Sequence, residues 1–119
     1  MSWTALAMTV LTVLGLSVGQ VLFKMAANRM HGGGTALWAL LTNAPLWWAL
    51  VVYGVSTIVW IAVLREVPLR LAYPFVASAF FIVPLLAHFF LGEPLQRQSM
   101  VGAALIALGI LVATYGEVR

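Results

Sequence analysis

Residues 3–23, WTALAMTVLTVLGLSVGQVLF, run for 21 positions without a charged side chain. A helix of this length, rising about 1.5 Å per residue, crosses the roughly 30 Å of hydrocarbon in a bilayer. A cleaved secretory leader would begin with basic residues and end in small residues, and this stretch does neither. We therefore expect it to be a retained membrane helix.

Three further apolar stretches complete the chain. Asn43-Ala44-Pro45 divides the uncharged residues 32–64, because proline suits the first turn of a helix. Gly92-Glu93-Pro94 ends the third stretch, with glycine after the helix and proline soon after. Pro84 is expected to bend the third helix. The sequence predicts one all-α domain, residues 1–119, with a short interfacial helix at about 35–42 and four spans at about 3–27, 45–64, 69–91 and 99–116.

The composition supports this class and excludes several others. Hydrophobic residues make up 64% of the 119, and charged residues 8%, whereas soluble domains are about a quarter charged. There is no cysteine, so disulfides and thiolate metal sites are excluded. His31 and His88 have no ligand-like spacing with an acid, so we predict no metal and no cofactor. No nucleophile–base pair is visible, so we predict no enzyme.

The basic residues are balanced between the two sides of the membrane. With four spans, both termini share one side. Three basic residues lie on each side, Arg65, Arg70 and Arg119 against Lys24, Arg29 and Arg97. The positive-inside rule therefore selects no orientation. Either details such as the free amino terminus select one orientation, or the protein inserts both ways and pairs antiparallel.

Ser17, Gln20 and Lys24 are spaced three and four apart, so they share one face of the first helix. An amide in hydrocarbon costs several kcal/mol unless it finds a partner. One interpretation is a polar stripe that lines a cavity and ends in a cation for an anionic head group. The alternative is that Lys24 reaches to the interface and Gln20 bonds a neighbouring helix.

The third span contributes a second candidate cation. Arg70 can grip a phosphate through its forked donors or form an i,i+4 pair with Glu66. Tyr73 and Ser78 follow it as candidates to line a cavity. In an antiparallel dimer, Lys24 of one subunit and the partner's Arg70 lie on the same side.

Two patterns bear on coupling and assembly. No Asp or Glu lies within a span, and an intramembrane carboxylate is the usual device for proton coupling. Gly102 and Gly109 are seven apart in the fourth helix, and small residues let helices approach closely. This pair predicts either a dimer seam or packing within the subunit.

The chain resembles the four-helix members of the drug/metabolite transporter superfamily, which include the small multidrug resistance proteins. The resemblance covers nearly the whole chain and rests on an ordered set of short motifs: Gly19 with Lys24, Val67-Pro68, Leu71-Ala72-Tyr73, Gly92-Glu93-Pro94-Leu95, and Gly102 with Gly109. Drug exporters of this group carry a glutamate in the first helix, where this chain has Leu16. That difference argues against drug/proton antiport.

Residues 17–26, Ala72-Tyr73-Pro74 and Gly92-Glu93-Pro94 resemble another branch more closely. Its members are small subunits proposed to flip aminoarabinose linked to undecaprenyl phosphate across the bacterial inner membrane. The resemblance implies a dimeric transporter, a homodimer or a heterodimer with a homologue, that acts on a lipid-linked sugar phosphate.

We therefore predict a multi-pass flippase of the bacterial inner membrane that works by alternating access. Lys24 and Arg70 are predicted to bind the phosphate, and Gln20, Ser17, Tyr73 and Ser78 to line the head-group path. Two alternatives stay open at this point. One is an efflux transporter of the small multidrug resistance type, and the other is a non-transporting partner subunit.

Overall fold

A computed structural model describes residues 2–30 and 36–115, with the side chain of Ala36 not included. All the secondary structure in these ranges is α-helical. The helices are α1 Trp3–Asn28, α2 Ala36–Leu41, α3 Ala44–Leu64, α4 Leu69–Val76, α5 Ala79–Leu91 and α6 Arg97–Thr114. His31, Thr35, Arg119 and the start of the predicted interfacial helix lie outside the described residues.

Four segments of the described chain are long and apolar enough to cross a membrane. They are α1, α3, the α4–α5 segment Leu69–Leu91, and α6. The prediction of an all-α integral membrane protein with four spans is therefore confirmed. We call the side that holds the end of α1 and the start of α3 the Lys24 side. The side that holds the start of α1 and of α4 is the Arg70 side.

Local chemistry places the helix ends. The Ser2 hydroxyl accepts a hydrogen bond from the backbone N–H of Ala5, at 3.1 Å, and so caps α1. Pro45 lies in the first turn of α3, where its missing N–H costs nothing. Gly92 ends α5 with φ +71°, a left-handed conformation that glycine adopts without strain.

The third span breaks at Ala77–Ser78, shortly after Pro74, and the bend expected at Pro84 stays a prediction. Pro74 has no N–H to donate to the carbonyl of Arg70. One turn later the ladder tightens, because Ala77 donates to Pro74 at 3.1 Å and Ser78 to Phe75 at 3.1 Å. These bonds span three residues instead of four. The chain remains helical through Pro84, which lies inside α5.

The closest helix packing joins α1 to α3. A Cβ added to Gly19 would lie 2.9 Å from Cδ2 of Tyr53, and one added to Gly15 would collide with the Ser56 hydroxyl. The missing side chains thus let the two helices approach closely, as small residues do in membrane bundles. We call these four residues the α1–α3 seam.

Packing is uneven across the bundle. On the Arg70 side, a buried cluster joins α1 to the end of α3 and the start of α4: Ala5, Val63, Val67, Leu71 and Ala72. In contrast, α6 leaves large side chains open along its length, including Val101, Leu105 and Val112 at 62%, 64% and 80% exposure. In a bilayer these surfaces face lipid or another protein chain.

Candidate functional site

The polar face of α1 is closed at one end and open at the other. Ser17 is fully buried, and its hydroxyl donates to the carbonyl of Val13 at 2.7 Å. Gln20 and Lys24, one and two turns further along, are exposed. Only the half of this face on the Lys24 side is therefore accessible in this conformation.

The exposed half of this face has donors that pair with none of the described residues. The side chains of Gln20 and Lys24 form no hydrogen bond or ion pair with the described residues. The alternative that Gln20 bonds a neighbouring helix is thus not seen within this part of the chain. An amide and a cation one turn apart can meet the hydroxyls and the charge of a polar anionic ligand.

Arg70 lies at the other end of the bundle. Its neighbours Leu71 and Ala72 pack in the same buried cluster as Ala5, near the start of α1. Lys24 is 19 positions after Ala5, which corresponds to about 28 Å along a helix. One chain therefore cannot place Lys24 and Arg70 on the same phosphate.

Tyr73 and Ser78 have different surroundings. Tyr73 is 61% exposed on α4. Ser78, at the break in the third span, lines a cavity of about 60 Å³ between α1 and α5 and donates to the Phe75 carbonyl at 2.6 Å. Since a water needs about 10–15 Å³, this cavity has room for water but not for a sugar.

Gly102 and Gly109 lie on open surface. A Cβ added to either glycine would meet no atom within 4 Å. Packing within the subunit, one of the two alternatives for this pair, is therefore not seen in the described structure. Both glycines remain free to approach another chain.

An apolar groove between α1 and α5 was missed by the sequence reasoning. Six side chains line its volume of about 270 Å³: Val18, Val21, Leu22, Met25, Leu86 and Phe90. We call it the α1–α5 groove. Valine and leucine in a membrane helix are equally typical of lipid-facing surface, so no sequence signal marked these positions.

Asn43 was also missed as a structural residue. It is 4% exposed, and its Nδ2 donates to the Ala26 carbonyl at 2.7 Å, which ties the end of α1 to the start of α3. Its Oδ1 is buried without a hydrogen-bond partner. The sequence suggested only that Asn43 starts a helix.

Acidic and metal-binding side chains are sparse in the described ranges. Glu66 and Glu93 lie in the links between spans, outside the helices. No group of three or more His, Cys, Asp or Glu residues is placed to hold a metal ion there. His88 Nδ1 instead lies 2.8 Å from the Glu93 carbonyl, so this nitrogen carries the proton and donates.

Comparison with known proteins identifies relatives with similar length and sequence. Three of them carry the name "Probable 4-amino-4-deoxy-L-arabinose-phosphoundecaprenol flippase subunit ArnE". Two are from strains of Pseudomonas fluorescens, with 34% identity over 91% of both chains and 33% over 80% of this chain and 83% of the relative. One from Pectobacterium atrosepticum is 36% identical over 79% of this chain and 83% of its own.

The chain belongs to the ArnE family of flippase subunits. The resemblance predicted from the ordered motifs is thereby confirmed. No family model matches the chain, and no solved structure matches it either. This structure of an ArnE-family chain is therefore the basis for three features: the open polar face of α1, the separated cations and the α1–α5 groove.

Proposed function

We propose that this chain is one subunit of a dimeric flippase that moves a polyprenyl-phosphate-linked sugar across the bacterial inner membrane. Its ArnE relatives are named for an aminoarabinose-phosphoundecaprenol flippase, a transport role and not a catalytic one. Four apolar spans without a soluble domain among the described residues suit a substrate that stays in the bilayer.

The observation that carries this proposal is the exposed pair Gln20 and Lys24 on an otherwise uncharged span. A cation that faces the membrane is costly and marks a functional site by default. A lipid phosphate compensates this cost, because the ammonium and the phosphate form charge-assisted hydrogen bonds. The Gln20 amide, a turn deeper, is suited to the sugar hydroxyls, since it both donates and accepts.

The dimer is proposed because of the placement of the second cation. Within one chain, Arg70 is a membrane thickness away from Lys24. In an antiparallel pair, the partner's Arg70 lies on the Lys24 side and can share the phosphate. The open α6 surface with Gly102 and Gly109 is the proposed seam between the subunits.

Alternating access of the site between subunits would expose the head-group path to each side in turn. Tyr73 is already exposed, whereas Ser78 is partly buried beside α1 and Ser17 is fully buried, so Ser17 reaches the path only if the helices around it move. The break at Ala77–Ser78 separates the two halves of that span and is the proposed hinge between them.

The test is transport in proteoliposomes that contain a polyprenyl-phosphate sugar. Lys24→Gln should reduce the flipping rate about ten-fold, since a charged hydrogen bond contributes about 1.5–3 kcal/mol. Arg97→Gln is the matched control, because Arg97 is an exposed cation on the same side at the start of α6. Equal rates for the two variants and the wild type would refute the role of Lys24.

A second candidate is a partner subunit that does not transport alone, which the word subunit in the relatives' names favours. Purified protein would then flip no lipid-linked sugar until a homologous chain is added to the same vesicles. Small multidrug efflux is disfavoured, because Leu16 stands where those exporters have a glutamate. Proton release on addition of a cationic drug would favour efflux instead.

A further inference from the structure

The α1–α5 groove opens directly to the surrounding lipid. Val18 and Met25 on one wall are 43% and 38% exposed, and Phe90 on the other is 73% exposed. Val18 to Met25 spans seven positions, about 10 Å along the helix. The groove therefore extends from the middle of the membrane towards the Lys24 side.

Helical spacing along α1 places a cation, Arg29, just beyond the end of this groove. Val18, Leu22, Met25 and Arg29 are spaced four, three and four apart, so they form one stripe along α1. Arg29 is the C-cap of α1 and keeps helical dihedral angles, φ −83° and ψ −11°, so it extends the stripe by one position past the helix. The side chain of Arg29 forms no ion pair with the described residues.

Apolar lining alone does not select a ligand in a membrane, because lipid tails are as apolar as leucine. Selection has to come from close packing in the groove and from the charge at its end. A guanidinium binds phosphate through paired donors. The combination matches a single apolar chain that carries a phosphate at one end.

We infer that the α1–α5 groove and Arg29 form a docking site for the polyprenyl phosphate of the substrate, distinct from the Gln20–Lys24 face. The isoprene units next to the phosphate lie in the groove, and the phosphate lies on Arg29. This inference rests on the proposed function. At about 100° per residue, Lys24 points roughly 130° away from the stripe, so the lipid docks on one face of α1 before its head group reaches the other.

The shape of the groove favours an isoprenoid over a phospholipid. It is a single groove of about 270 Å³ between two helices, with Leu86 and Phe90 on the α5 wall. A polyprenyl phosphate offers a single chain, and its methyl branches can pack between the side chains. A phospholipid attaches two chains to its phosphate, of which only one can enter.

The test is photo-crosslinking of purified protein in lipid nanodiscs with a photoreactive polyprenyl phosphate that carries no sugar. We expect labelled peptides from both walls of the groove. Val18→Trp, which fills the groove, and Arg29→Gln should each reduce labelling about three- to ten-fold, as expected for the loss of about 1 kcal/mol. Leu11→Trp is the matched control, because Leu11 is 62% exposed on the same face of α1 but outside the groove.

The outcomes separate docking from transport. Lys24→Gln should retain the labelling while it loses flipping. Labelling that is unchanged in both groove variants, or displaced equally well by phosphatidylglycerol, would overturn the docking site. Because Arg29 is exposed, Arg29→Gln tests the site even if Val18→Trp misfolds. Wild-type protein that is labelled in the groove but flips nothing, even after a homologous chain is added to the vesicles, would refute the proposed function and leave the docking site standing.

Discussion

Gly15→Ala should destabilise the bundle by crowding the α1–α3 seam. The new Cβ would collide with the Ser56 hydroxyl and lie 3.2 Å from the Ser56 Cβ. Overpacking of this kind costs about 1–3 kcal/mol, while replacing glycine by alanine in a helix favours folding by about 1 kcal/mol. Gly54→Ala has the same helix preference and open space around its Cβ. We therefore expect Gly15→Ala to be less stable than Gly54→Ala by about 1–3 kcal/mol.

The assay is unfolding of the purified protein by increasing SDS in mixed micelles, followed by tryptophan fluorescence. A second substitution tests the proposed cause. The Ser56 hydroxyl bonds only the Val52 carbonyl of its own helix, at 2.8 Å, so Ser56→Ala alone should cost less than about 1.5 kcal/mol. In Gly15→Ala/Ser56→Ala the collision with the hydroxyl is removed while the 3.2 Å approach of the two Cβ atoms remains, so part of the lost stability should return.

Two results would refute this reasoning. One is a Gly15→Ala protein as stable as Gly54→Ala, which would mean that the helices do not meet closely at Gly15. The other is a double variant whose loss equals the sum of the two single losses, because contacting residues should show an interaction energy.

Two further predictions concern the junction and the dimer. Asn43→Leu should lower the free energy of unfolding in SDS by about 1–3 kcal/mol, since the Ala26 carbonyl loses its side-chain donor. An unchanged free energy of unfolding would contradict the role of Asn43 in joining α1 to α3. Gly109→Leu should weaken dimerisation measured by energy transfer in vesicles, whereas Ala104→Leu, on exposed surface of the same helix, should not. Equal dimerisation in both would exclude the seam.

The sequence predicted more of the fold than of the candidate site. Span number and helix ends follow from local rules, because hydrocarbon thickness sets helix length and Gly92 and Pro45 mark ends wherever they occur. The break in the third span at Ala77–Ser78 was not predicted. Pro74 and Pro84 are alike in sequence, and only the packed helix shows that the ladder tightens after Pro74 and continues through Pro84.

The site residues illustrate the limit more sharply. Ser17, Gln20 and Lys24 share a helix face by spacing alone, yet Ser17 is buried and the other two are open. Helical periodicity predicts which side of the helix a residue faces. It does not predict how far along that side a neighbouring helix covers it. The α1–α5 groove was invisible for a related reason, since its residues do not differ in type from lipid-facing ones.

The amino-acid sequence by itself determined that this protein is embedded in a bilayer, crosses it four times and has no acidic residue in its spans. These properties depend on residue type and on distance along the chain. Only the tertiary structure decided which surfaces are buried against another helix and which stay exposed. It closes Gly15 and Gly19 against α3, leaves Gly102 and Gly109 open, and forms a groove between α1 and α5. Those outcomes depend on which helices meet, and contact between helices is a property of two faces and not of either one alone.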